Sequence, residues 1–349
     1  MTGLRVEEGD TAEWARLASQ DPAATFFQQP AWYEASRALA KDRTLAVTRL
    51  SWPDGNDAML PLWTRKAGVL GRRWDALGNA AGLYGGWVSA RPLSAPQVAE
   101  VAAWLRARCR SLALRINPFQ DVPPAAAQAI GPVEEEDTFL VDLAGGPQDI
   151  VDRYAKGQRE NVNKARRHGI TCRLARGPED WQAYVAMYEE TLRRWGPGAT
   201  SRYKPDQLLA FQSLPTENCQ LWIAETSEGE MAAAALHFSH GPHILGWHLA
   251  NRTDLMRLFP TKLLIHEVIL DAQRRGLRWY DLNVSGGHEG PQRWKQMMGA
   301  QPRPAPFIRI ETAQQREARL AKRARQAAAQ AAEAAAASAP DAERPVARP

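Results

Sequence analysis

The run LRWYDLN, residues 277–283, sets a phenol beside a carboxylate, Tyr280 and Asp281, and the run GPQRWKQMMG after it adds an ammonium, Lys295. Groups of these types give, take or balance protons and charge at a reacting centre. If 277–283 is a strand, alternation puts Leu277, Trp279 and Asp281 on one face and Arg278, Tyr280 and Leu282 on the other. Tyr280 and Asp281 then enter one cleft only if the strand bulges; otherwise Tyr280 is a core aromatic whose hydroxyl finds a partner. His237, His240 and His243 invite a metal reading, but the first two alternate across a strand and the last two flank the turn SHGPH, so a hairpin accounts for them. SGGHEG, residues 285–290, lacks the pattern of a phosphate-binding loop and reads as a turn. Cys109, Cys172 and Cys219 are far apart and form no C-x-x-C pair, which leaves no basis for a zinc knuckle or a disulfide framework. No Ser-His-Asp context appears, so no covalent enzyme intermediate is expected.

The elements that must position these groups lie between 219 and 298. CQLWIAET, GEMAAAALHFSH and HILGWHLAN read as three strands, FPTKLLIHEVILDAQRRG as an amphipathic helix, and LRWYDLN as the strand it returns to. Upstream, LRVEEG is a strand, DTAEWARLAS a helix capped at Thr11, and QQPAWYEASRAL a second helix. RTLAVTRLSW and DAMLPLWTRK form a hairpin around PDGN. RRWDALG and LYGGWVS are short strands, SAPQVAEVAAWLRARC is a helix, and LALRINPF is a strand. PFQDVPPAAAQAIGP reads as a connector before the strand TFLVDL. One basic helix is expected from about 147 to 168, stopped by Gly169, then a strand, a long helix over 178–195 and a short one. PFIRIE closes the second half. The order of elements repeats, which predicts a mixed α/β fold of two tandem units, 1–130 and 131–312, with 313–349 as a tail.

At 349 residues, 44% hydrophobic and with 13 Trp, the chain has material for two packed cores. No signal-like segment and no membrane-length apolar run is seen, so a soluble, cytoplasmic protein is expected. The formal charge of +5 is concentrated in 147–169 and 313–349, which carry about +3 each and leave about −1 elsewhere. A uniformly basic nucleic-acid surface is therefore not expected. The tail is rich in Ala and Arg with Leu320 as its only large apolar residue before 338, so it reads as a solvated, fraying helix followed by disorder. The alternative is a tether to an anionic membrane or to RNA.

Three stretches, LGNAAGLYGGWVS, RENVNKARRHGI and GLRWYDLNVSGGHEGPQRWKQMMGA, resemble the Tyr-Gly-Gly bend, the inter-unit helix and the closing strand-and-helix of the Fem-like (FemA/FemB) aminoacyltransferases, which are built of two GNAT-like acyltransferase units. The likeness covers about residues 25–311. Asn283, Pro291, Trp294 and Met298 depart from it by turn or apolar exchanges. The resemblance implies an acyl or aminoacyl transfer to an amine, with aminoacyl-tRNA or acyl-CoA as donor co-substrate and no resident cofactor. It implies Tyr280, Asp281 and Lys295 as catalytic, with Lys295 facing phosphates of a cell-envelope precursor such as a peptidoglycan intermediate. Tyr84, Arg159, Asn163, Lys164 and Trp247 would contact the acceptor, and Arg252, Arg257 and Lys262, in the loop ANRTDLMRLFPTK, the donor's phosphates. That loop has no glycine, unlike a CoA-binding pyrophosphate loop. For its three cations and for the basic helix, solvated surface roles stay open. A CoA-dependent N-acetyltransferase acting on a small amine is the other enzymatic expectation, and a non-catalytic binding protein for an anionic glycoconjugate or tRNA is the expectation from another class.

Overall fold

The computed structural model describes residues 3–195, 202–286 and 289–321, with Ala324, Arg325 and Ala328. The chain runs β1 (Arg5–Glu8), α1 (Thr11–Gln20), α2 (Pro30–Ala35), β2 (Thr44–Ser51), β3 (Asp57–Ala67), β4 (Arg73–Leu77), β5 (Tyr84–Gly85), β6 (Val88–Ser89), α3 (Ala95–Arg108), β7 (Cys109–Ile116), α4 (Pro124–Ile130), β8 (Val133–Glu134) and β9 (Asp137–Asp142). It continues through α5 (Pro147–Asp152), α6 (Lys156–Arg167), β10 (Thr171–Leu174), α7 (Pro178–Trp195), α8 (Pro205–Leu209), β11 (Cys219–Glu225), β12 (Met231–His240), β13 (His243–Asn251), α9 (Pro260–Arg274), β14 (Trp279–Asp281), α10 (Glu289–Gln296), β15 (Gln301–Pro304) and β16 (Phe307–Ile310). No helix among the described residues is long and apolar enough to cross a membrane.

The expected mixed α/β architecture of two units is present. A 9-stranded sheet carries the path β1-β2-β3-β4-β7-β16-β8, and a 7-stranded sheet the path β10-β11-β12-β13-β14-β9-β15. Alternation decides what each face of the second sheet buries. Trp222, Ala224, Ala233, Ala235, Ile244 and Tyr280 pack under α6 and α9, while Leu221, Ile223, Ala234, Leu236, Phe238 and Leu245 face α7, α8 and the aromatic residues of the first unit. A separate core lies between the first sheet and α3 and α4.

Four local expectations need correction. The cap of α1 is Asp10, whose carboxylate accepts from the amides of Ala12 and Glu13 at 2.9 and 3.0 Å. The basic helix is two helices, broken at 153–155. The supposed connector holds α4 and β8. β16, expected to close the second unit, pairs with β7 and β8 in the first sheet, so the sheets do not divide at residue 130. β15 was not foreseen, because its sequence QPRP has two prolines; it is a sheet edge, where missing amide donors are tolerated. Residues 313–321 are helical, with Arg319 bridging Glu134 and Glu311 at 2.7 Å each. Most of the tail, and residues 287 and 288 of SGGHEG, lie outside the described residues.

Candidate active site

Two irregularities in the second sheet open a site. Leu236 faces His248 across the β12–β13 ladder but His237 faces Gly246, so Trp247 is the extra residue of a β-bulge. β13 then pairs in parallel with β14 only at His243, Ile244 and Leu245. Beyond Leu245 the two part, β14 ending at Asp281 while β13 runs on to Asn251. A cavity of about 190 Å³ lies at this splay, lined by His237, Gly246, Trp247, His248, Tyr280, Asn283 and Trp294 with the apolar side chains of Leu249, Ile265, Leu282 and Val284.

Tyr280 is fully buried and its hydroxyl lies 3.0 Å from His237 Nε2. His237 Nδ1 lies 3.2 Å from the Ala235 carbonyl, which can only accept, so the ring proton is on Nδ1 and Nε2 accepts from Tyr280. Burial pushes His237 down to about 3 and Tyr280 above its ordinary value, so both are neutral near pH 7. The bulge glycine is required here: a Cβ on Gly246 would stand 2.9 Å from the Tyr280 hydroxyl.

Asp281 points the other way, as strand alternation predicts. Its carboxylate accepts from the Tyr84 hydroxyl at 2.7 Å, from Thr138 Oγ1 at 2.5 Å and from the Asn283 amide at 2.7 Å. Burial raises its pKa against those hydrogen bonds. Tyr84 is on β5 in the first unit, so this pair pins the units together. Neither residue lines the cavity, which corrects the expected place of Asp281 at the reacting groups and of Tyr84 against the acceptor there.

Residues 153–296 match the model of a family described as an acetyltransferase (GNAT) domain. No curated protein matches the chain by sequence. Among solved structures, FemX superposes with a TM-score of 0.65 at 12% identity over 89% of this chain and 98% of its own. L-PGS from Bacillus licheniformis gives 0.55 at 14%, over 88% and 94%. A tandem GNAT protein from the clavulanic acid biosynthesis pathway gives 0.50 at 11%, over 89% and 99%. The chain has the Fem-like tandem GNAT fold.

Within that fold the remaining expected residues separate into those near the cavity and those away from it. Trp247 lines it, packed against Trp32, Phe211 and Phe238. Lys262, in the first turn of α9, rests its ammonium 5.3 Å from the ring of Trp294, which also lines the cavity, and burial lowers it to about 8. Lys295 turns inward. Its Nζ donates to the carbonyls of Asn283 at 2.6 Å and Val284 at 3.0 Å and to Ser285 Oγ at 2.8 Å, and it is 6% exposed. An ammonium has three donors, so none is left for an acceptor phosphate; this corrects the expected orientation. Burial lowers it to about 8, against the attraction of Asp281 and Glu136.

The other cations do not converge on the cavity. Arg252 bridges Glu230 at 3.1 Å and Asp254 at 2.5 Å, and Arg257 is exposed on the turn before α9. Arg159 donates to the carbonyls of Val151, Asp152 and Tyr154 at the end of α5. Arg159 and Asn163 line a different cavity, of about 300 Å³, with Tyr154 and His266. Lys164 sits 5.6 Å from the ring of Phe259. Sequence reasoning missed His237, taken as hairpin filling, and Gly246. Their signal was local, a glycine inside a strand pattern, which marks a bulge or a close approach. Phe259 and Asn283 hold left-handed conformations, with φ of 60° and 64°, at turns where glycine is the easier residue. Among the described residues no cluster of potential metal ligands occurs.

Proposed function

We propose that the chain is a cytoplasmic acyltransferase that moves an acyl or aminoacyl group from an activated donor to an amine of a cell-envelope precursor. The observation that carries this is the neutral Tyr280–His237 pair in the cavity where β13 and β14 part. In a ternary complex the amine attacks the donor carbonyl; the new C–N bond forms as the C–O or C–S bond to the leaving group breaks. The leaving atom needs a proton and the amine must lose one. Tyr280 is placed to pass both, its O–H rotating from His237 to the leaving atom and being restored by the proton the amine gives up. His237, held at about 3, is too weak a base to take that proton at neutral pH; it orients the phenol. The β13 edge beyond Leu245 offers backbone groups to hold the carbonyl.

Aminoacyl-tRNA is favoured as donor because the loop before α9 has no glycine and places Phe259 at its left-handed turn. The match of 153–296 to an acetyltransferase domain supports acyl-CoA as the second reading. Labelled amino acid from charged tRNA and labelled acetyl from acetyl-CoA, offered in parallel, distinguish them, and transfer of neither label sinks both in favour of a binding protein. With the productive donor, Tyr280→Phe is expected to lower kcat by about 10²–10⁴-fold with KM little changed. An ascending limb of kcat/KM between pH 5 and 7 that disappears in His237→Asn would refute the neutral-histidine role.

A further inference from the structure

The end of the first sheet away from the unit junction carries charge that the two basic stretches of the sequence do not include. β3 passes into β4 through the turn Val69–Gly71, and α3 passes directly into β7 beside β4. These connections bring Arg65, Lys66, Arg72 and Arg73 next to Arg106, Arg108 and Arg110, and no acidic residue occurs in 65–73 or 106–110. The two segments are tied into one surface: Arg73 Nη2 donates to the Arg106 carbonyl at 2.9 Å and Arg108 Nη1 to the Arg72 carbonyl at 3.0 Å. The carboxylates that meet the patch, Asp42 and the buried Asp75, are engaged by Arg65 and Arg110. Lys66, Arg72 and Arg106 remain exposed and outside any ion pair among the described residues. At the tip stands Val69, 84% exposed, and behind it lie the half-buried indoles of Trp74 and Trp104, with the Arg108 guanidinium 4.1 Å over Trp74.

Each piece alone has a plain account. Cations in the last turn of α3 suit the helix dipole, and a single exposed valine is ordinary. Their combination is the chemistry of a lipid–water interface: an apolar tip for the acyl boundary, indoles at the head-group level, and a ring of cations for anionic head groups. A nucleic acid would use the cations but offers nothing to Val69. We propose that this end of the first sheet docks on an anionic lipid membrane. None of the residues that form the surface belongs to the C-terminal tail. It lies where β4 and β7 begin, whereas Tyr84, which meets Asp281, pairs with Arg115 near the far end of β7, so docking leaves the unit junction uncovered.

The test is co-sedimentation of the full chain with phosphatidylglycerol/phosphatidylcholine vesicles and with pure phosphatidylcholine vesicles. Binding is expected to the first only and to fall in 0.5 M salt, about three times the physiological ionic strength. The combined variant Lys66→Glu, Arg72→Glu, Arg106→Glu should lose about tenfold or more of the bound fraction with an unchanged thermal midpoint, and Val69→Asp should weaken binding several-fold. A chain ending at 312 should still bind. Equal binding by the triple variant, equal binding by Val69→Asp, or binding abolished by removal of the tail would each overturn the proposal. So would tRNA retention lost in the triple variant with no vesicle binding by the parent, which would assign the patch to RNA.

Discussion

An ammonium group has three protons to donate, and at Lys295 each meets an acceptor in the segment 283–285, of which Asn283 and Val284 line the cavity. Removing it leaves two carbonyls and a hydroxyl facing a void, at about 1–3 kcal/mol for each group left unpaired. Lys295→Ala is therefore expected to lower both the unfolding midpoint and kcat, through displacement of Asn283 and Val284 beside Tyr280. The acceptor's KM should move little, since Nζ does not face outward; a large rise in that KM alone would restore a direct contact with substrate. The sequence made Lys295 conspicuous but not its direction. A lysine's charge suggests an anionic partner, and only the fold shows that its stem runs inward past Phe139. Tyr280 and Asp281 were separable in advance, because strand alternation alone puts adjacent side chains on opposite faces. That Asp281 meets Tyr84, 197 positions away in sequence, was not legible in any local pattern.

At the scale of elements, the site depends on β13 being irregular in one place and regular elsewhere. The bulge at Trp247 turns a large aromatic toward the cavity, and the absence of a side chain at Gly246 admits the Tyr280 hydroxyl. Gly246→Ala keeps the strand's backbone conformation accessible but sets a methyl within 2.9 Å of that oxygen. Overpacking of this kind costs about 1–3 kcal/mol, and relief requires Tyr280 to leave His237. The expected result is a folded protein with a lowered thermal midpoint and a drop in kcat approaching that of Tyr280→Phe. Activity unchanged in Gly246→Ala would show that the phenol's position is not critical. Long alternating strands and the amphipathic α9 were readable because their apolar periods are 2 and 3.6. β8 and β15 were not, being two and four residues long, proline-containing or proline-flanked, and held by their neighbours in the sheet.

At the scale of the whole molecule, the repeat of element order suggests two separable units, but the packing joins them. One continuous core takes Trp14, Phe27 and Trp32 from the first unit and Tyr184, Phe211, Ile223 and Phe238 from the second. Phe26 stacks on Phe238 at 5.3 Å and Trp32 on Phe211 at 5.3 Å. The first sheet is also completed from the far end of the chain, with Phe307 opposite Arg115 and Ile308 opposite Leu114 in β7. A fragment of residues 1–130 would therefore leave β7 without its neighbour β16, an edge open to aggregation, and would expose the aromatic face that the second unit covers. It is expected to be insoluble or unfolded when expressed alone, and the full chain to unfold in a single calorimetric transition. A chain ending at residue 305 tests the strand separately: without β16, Leu112 and Leu114 lose their cover, and the midpoint should fall by many degrees although the Tyr280 cavity is untouched. Two resolved transitions in the full chain, or a soluble and cooperatively folded 1–130, would mean that the units are held together by far less than this shared core.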